Sequence, residues 1–168
     1  GDVYKRQLCT TELLGGGFRS FTVLRDPVAR TLSGLRHYRE TTPGTEDLSL
    51  EELYEQPERQ MVLRNHMVKM LSLTVEEMTD GMLTTVDFTP ARLARAKEAL
   101  AGLEVVGLQE RFEPFVDALQ HRFGWSLGPP RFANRTRPED APDALVRRIA
   151  DDQADDLALY EFGRGLAV

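Results

Sequence analysis

The sequence predicts a helix-rich α/β domain built on a short parallel sheet. Two strand-like runs and the helices beside them carry this prediction. Residues 21–24 (FTVL) form a short apolar run of strand formers, stopped by Asp26-Pro27 and followed by an amphipathic helix. A helix over 89–102, the β-branched run EVVGL at 104–108 and a helix over 109–123 make a helix–strand–helix unit. Such a unit implies a right-handed crossover onto a parallel partner strand. With 168 residues, 41% hydrophobic and 29% charged, the chain is long enough for one domain with a real core.

The elements follow in order. Residues 1–7 (GDVYKRQ) lack a start Met and resemble translated adapter text, so they are set aside from the fold reasoning. On that reading residues 8–168 are the later part of a single, longer domain. Residues 8–14 are a short amphipathic piece, and Gly15-Gly16-Gly17 is a turn. After the strand at 21–24, Asp26 is a good helix N-cap and Pro27 suits the first helical position, so 28–40 reads as helix with Leu32 and Leu35 inward. Ser49 with Glu52 forms a capping box for a short helix. Pro57 restarts it, and 58–71 reads as one helix with Arg64-Asn65-His66 on a solvated face. Thr74 with Glu77 is another capping box, and Thr89-Pro90 opens a helix with Leu93, Ala96, Ala99 and Leu100 inward. The helix over 109–123 turns Phe112, Phe115, Val116, Leu119 and Phe123 inward and ends at Gly124. A proline-rich loop covers 126–142, and 144–166 is amphipathic, with its acids reading as a solvated face.

The functional signal centres on residues 21–40. Arg25 sits at the carboxyl end of a strand, where open α/β sheets bind ligands, and a helix N-terminus follows it. Ser33, Gly34 and His37 lie 3, 4 and 7 residues after Arg30, which puts all four on one helical face. A guanidinium fork, a hydroxyl donor and a glycine in this order describe an anion site. Charge supports a small anionic ligand: the net charge is −6, yet residues 1–40 carry a local +3. The overall acidity argues against binding a nucleic-acid backbone. No run approaches transmembrane length, no metal-ligand spacing occurs among His37, His66, His121 and Cys9, and no Gly-x-Ser-x-Gly surrounds Ser33. The single Cys9 rules out an internal disulfide and suits the cytoplasm.

Arg25-Asp26-Pro27, with Ser33 eight residues after the Arg, resembles the 3′-phosphate-binding motif of sulfotransferases that use 3′-phosphoadenosine 5′-phosphosulfate. A second stretch, Val105 to Phe112 followed by Leu119 and Phe123-Gly124-Trp125, resembles the Val-Gly-Leu strand and Glu-Arg-Phe helix of bacterial and carbohydrate sulfotransferases. Asn134-Arg135-Thr136 is similar to the basic loop that closes over the nucleotide, and Asp156-Leu157 with Leu159-Tyr160 to the closing helix.

The resemblance implies a P-loop NTPase-like three-layer sulfotransferase fold, here incomplete, covering about residues 18–166. It implies transfer of a sulfuryl group from 3′-phosphoadenosine 5′-phosphosulfate to a hydroxyl acceptor, a carbohydrate first. Arg25 and Ser33 would bind the 3′-phosphate, with Arg30, Arg135 and Arg137 as supporting cations. His37, one turn beyond Ser33, is the candidate base for the acceptor hydroxyl. The lysine-containing loop that grips the 5′-phosphosulfate in the family has no counterpart here: Lys69 and Lys97 lie on helices and Lys5 in the leader. The fragment alone is therefore expected not to turn over. Two other classes compete. One is a non-catalytic helical interaction or scaffold domain in which Asp26-Pro27 is only a cap; the other, a kinase-like nucleotide-binding domain, lacks a Gly-Lys-Ser/Thr loop.

Overall fold

The computed structural model describes residues 18–74, 76–77, 83–128 and 141–168. Strand β1 (Phe21–Leu24) is followed by α1 (Pro27–Thr41), α2 (Leu50–Tyr54), α3 (Pro57–Leu63), α4 (His66–Ser72) and α5 (Pro90–Ala101). Strand β2 (Val105–Leu108), a 3-10 turn (Gln109–Arg111), α6 (Phe112–Phe123), α7 (Asp143–Asp152) and α8 (Ala154–Arg164) complete the described residues. β1 and β2 pair in parallel with Phe21 opposite Val105 and Leu24 opposite Leu108. The chain is thus helix-rich α/β with a short two-stranded parallel sheet.

Helices cover both faces of that sheet because β2 is apolar throughout and alternates sides. Val105 packs with Phe115 and Leu119 of α6. Val106 and Leu108, with Leu24 of β1, join Met67 and Val68 of α4, Ala96 and Leu100 of α5, and Leu159 and Tyr160 of α8. Two glycines set how closely the layers approach. A Cβ on Gly107 would collide with the Phe115 ring, and one on Gly163 with the Leu24 side chain. A third cluster lies to the side, where Leu32 and Leu35 of α1 meet Leu50, Leu53 and Tyr54 of α2 and Leu145 and Ile149 of α7.

The predicted caps form as the sequence chemistry dictates. Asp26 accepts from the Ala29 N–H, Ser49 and Glu52 make a reciprocal capping box, and Thr89 accepts from the Arg92 N–H. Thr74 and Glu77 exchange the same pair of bonds at 3.0 and 3.4 Å.

Three expectations are corrected. The single helix expected over 58–71 is two, α3 and α4, broken at Asn65, which sits in the left-handed region at φ 42°. Asparagine tolerates this conformation better than most residues. The polar triplet at 64–66 is not one solvated face, since Asn65 is buried. The acids of the last segment are not all solvated either: Asp156 is fully buried, and the segment divides at Gln153 into α7 and α8. The expectations for residues 1–7, 8–14 and the glycine turn, and for Arg135 and Arg137, lie outside the described residues.

Candidate functional site

The turn from β1 into α1 is built locally. Asp26 Oδ1 accepts from the Ala29 N–H at 2.8 Å, and the Asp26 carbonyl accepts from the Arg30 N–H at 2.8 Å. Pro27 has no N–H to offer. Of the first three helical positions, Val28 alone keeps an N–H outside the cap. The sequence reading of an open helix N-terminus therefore narrows to one backbone donor, supplemented by side chains. On the other flank, Glu110 accepts from the Asp26 N–H at 3.4 Å. Tyr160, held upward in pKa by burial and by its bond to Glu110, closes that side. An anion approaching this turn meets carboxylates on the β2 flank and cations on the α1 flank.

Arg25 is half-buried at the end of β1. Among the described residues, no hydrogen bond or ion pair engages its guanidinium. The Ser33 hydroxyl, half-buried on the following helix, is likewise without a hydrogen bond among them. Arg30 behaves differently from the sequence expectation. Its Nη2 donates to the Leu63 carbonyl at 3.3 Å and to Asp156 Oδ2 at 3.5 Å, so the guanidinium points inward. Its Nε has no partner among the described residues. Burial lowers the Arg30 pKa, Asp156 offsets part of this, and the nearby positive charge of Arg25 lowers it further. The fold thus brings two guanidiniums within electrostatic reach of each other, and among the described residues only Arg30 is paired with an acid.

Gly34 is exposed, and a Cβ there would meet Leu63 at an ordinary 3.7 Å, so space alone does not demand glycine. His37 is exposed on α1, and its carbonyl accepts from the Thr41 hydroxyl at 2.7 Å. The structure brings Arg25 within electrostatic reach of Arg30, and Ser33 and His37 follow Arg30 at successive turns of α1.

Sequence reasoning missed the groups behind this turn. Asp156 accepts from the backbone N–H groups of Met67 (3.0 Å) and Val68 (2.8 Å), so a side chain of α8 caps the start of α4. Asn65 returns the bond by accepting from the Asp156 N–H at 3.0 Å. Gln153, fully buried, accepts from the Asn65 N–H at 2.9 Å and donates to the Leu63 carbonyl at 2.7 Å and to Thr31 Oγ1 at 3.2 Å. Burial raises the Asp156 pKa to about 6 despite Arg30 and the two N–H donors. His66 is pushed down to about 4, first by burial and then by Arg30. Its Nδ1 lies 3.0 Å from the Val62 carbonyl, which can only accept, so the neutral ring carries its proton on Nδ1. The one legible signal was an Asn inside an otherwise helical run with no capping box around it.

Among the described residues, no group of three or more His, Cys, Asp or Glu could hold a metal ion, and no helix is long and apolar enough to cross a membrane. No protein-family model, no curated protein and no solved structure matches the chain.

Proposed function

We propose that the Arg25 turn is the 3′-phosphate site of a sulfotransferase that uses 3′-phosphoadenosine 5′-phosphosulfate and that this chain is the later part of its P-loop-like, three-layer domain. The observation that carries this reading is that, among the described residues, neither the Arg25 guanidinium at the carboxyl end of a parallel strand nor the Ser33 hydroxyl of the helix that follows has a hydrogen-bond partner. A phosphate there would take a bidentate contact from Arg25, a hydroxyl bond from Ser33 and the Val28 N–H. Its negative charge would also relieve the repulsion between Arg25 and Arg30. Arg30, anchored to Asp156, serves as a fixed positive background rather than a ligand. Helices on both faces of the sheet and the close Gly107–Phe115 approach support the three-layer assignment.

The donor, when bound, supplies the sulfuryl group; the acceptor is a hydroxyl, of a carbohydrate on the resemblance. No Gly-Lys-Ser/Thr loop occurs in the 168 residues, so the reading assigns this chain the 3′-phosphate half of the site. His37 is exposed on α1, and the reading keeps it as the candidate base for the acceptor hydroxyl. The competing reading, a helical scaffold domain, draws on the Asp26 cap and on the pairing of Arg30 with Asp156.

Calorimetric titration with adenosine 3′,5′-bisphosphate separates the two. The sulfotransferase reading expects saturable binding that weakens about tenfold or more in Arg25→Ala and in Ser33→Ala, each with an unchanged unfolding midpoint. A folded wild-type chain that takes up no bisphosphate leaves the turn as a cap and favours the scaffold.

A further inference from the structure

We propose that Asp156 is a positioning residue for the Arg25 turn: through Arg30 it links the binding of an anion there to the binding of a proton, so that each favours the other. The inference rests on the reading of that turn as an anion site and names how the site is regulated.

Arg30 joins the two ends of this link. On one side, it and Arg25 feel each other's positive charge. On the other, its Nη2 lies 3.5 Å from Asp156 Oδ2 and 3.3 Å from the Leu63 carbonyl. Both contacts are long, since a guanidinium closes on a carboxylate at about 2.7–2.9 Å when fully engaged. Its Nε has no partner among the described residues. The guanidinium is therefore held in place with bonding capacity left over. Asp156, by contrast, is fixed by shorter bonds. It accepts from the Val68 N–H at 2.8 Å and from the Met67 N–H at 3.0 Å, and its own N–H donates to Asn65 at 3.0 Å. These bonds hold the carboxyl in either charge state, because a neutral carboxyl still accepts.

A proton on Asp156 thus changes the field at Arg30 while the turn keeps its geometry. The ionised acid cancels part of the Arg30 charge. The neutral acid leaves that charge whole for an anion held by Arg25. The reverse follows by linkage: an anion at Arg25 draws on Arg30 and repels a carboxylate behind it, so it favours the neutral acid. Burial already raises the fully buried Asp156 to about 6, which brings the exchange close to neutral pH. The charges that bear on Asp156 are Arg30 from α1 and Asp155 from its own helix. Helix α4 faces it with backbone donors and carries His66 and Lys69. His66, pushed down to about 4, keeps a neutral ring while Asp156 titrates.

The test uses the whole chain, with aspartate carboxyl carbons labelled for NMR, and adenosine 3′,5′-bisphosphate as the probe. The Asp156 carboxyl signal is followed against pH in the free chain and at saturating bisphosphate. Its midpoint should rise by about 0.7 pH unit on saturation, equivalent to a Kd about fivefold tighter below the transition than above it. Calorimetry on Asp156→Asn, whose side chain is neutral at every pH, gives the second readout. This variant should bind about fivefold more tightly than wild type at about pH 7.5 and should match it at about pH 5. Titration of the ligand's own phosphates and of the exposed His37 is common to both chains and cancels in that ratio. A purely structural acid would lower the unfolding midpoint of Asp156→Asn and leave the affinity ratio at one across the pH range. That result, or a carboxyl midpoint that saturation does not move, overturns the inference while the anion site stands. A folded wild-type chain that binds no bisphosphate at either pH overturns both. The NMR readout is made on the wild-type chain, so it decides the question even if Asp156→Asn fails to fold.

Discussion

Two helix starts in this chain hold a carboxylate, and they draw it from opposite distances. At α1, Asp26 reaches three residues forward to the Ala29 N–H. At α4, Asp156 arrives from 88 and 89 residues away to take the N–H groups of Val68 and Met67. The first cap is partly exposed and fixes where one helix begins. The second is buried and also holds Arg30 and Asn65, so it fixes how α1, α4 and α8 sit against one another. The same chemistry does two jobs: a nearby acid defines an element, and a remote one defines the packing of elements.

The largest break in this comparison comes from Asp156→Ala. It strips two buried N–H groups of their acceptor and leaves Arg30 without its acid. We expect a loss of ~3–5 kcal/mol in urea unfolding, since removing one member of a buried pair leaves the other uncompensated. A loss below about 1 kcal/mol would show that the remote cap is ornamental.

The pH dependence sharpens the comparison further. Asp156 is raised from its ordinary 3.8 to about 6, so folding favours its neutral form. Its stabilising contribution is complete below the ordinary value and is lost as pH rises through 6. His66 is lowered from 6.5 to about 4, and folding again favours the neutral form. Its contribution is complete above the ordinary value and is lost as pH falls through 4. Each amounts to about 3 kcal/mol, and the two slopes oppose one another across the same window. The wild-type chain should therefore show a nearly flat stability between pH 4 and 6.5 from these groups. Asp156→Asn should lose stability on acidification and His66→Gln should gain it. Unfolding midpoints of the three chains against pH check this, and parallel curves would refute it.

The smallest effect belongs to the local cap. Asp26→Ala should cost about 1 kcal/mol, read as a modest drop in unfolding midpoint with α1 otherwise intact.

Legibility in the sequence follows the same division. Asp26, Ser49, Thr89 and Gly124 each act within a few residues, and each element boundary they mark is found in the structure. The inward stripes were legible too, because period fixes them: Leu32 and Leu35 on α1, Phe115 and Leu119 on α6. The parallel pairing followed from the helix between the strands. What could not be read were the groups whose partners lie far off. Asn65 and Asp156 are polar residues on amphipathic helices, and composition places such residues in solvent. Only the folded chain shows that each is the other's partner. The contact of Arg30 with Asp156 was illegible for the same reason, since its spacing from Arg25 and Ser33 says nothing of an acid 126 residues later. The strand end at Leu24 and the helix that carries Ser33 were legible because both are local facts.

The remote cap also bears on how the chain is made. Asp156 leaves the ribosome long after Arg30, Asn65 and the start of α4, and the bond that joins Arg30 to it spans 126 residues. Until then a buried-to-be guanidinium and two backbone donors must remain in water, and α4 has only seven residues with which to hold itself helical. Nascent chains halted before α8 should thus be open to proteases at the α3–α4 elbow, and release should close that elbow in a single late step.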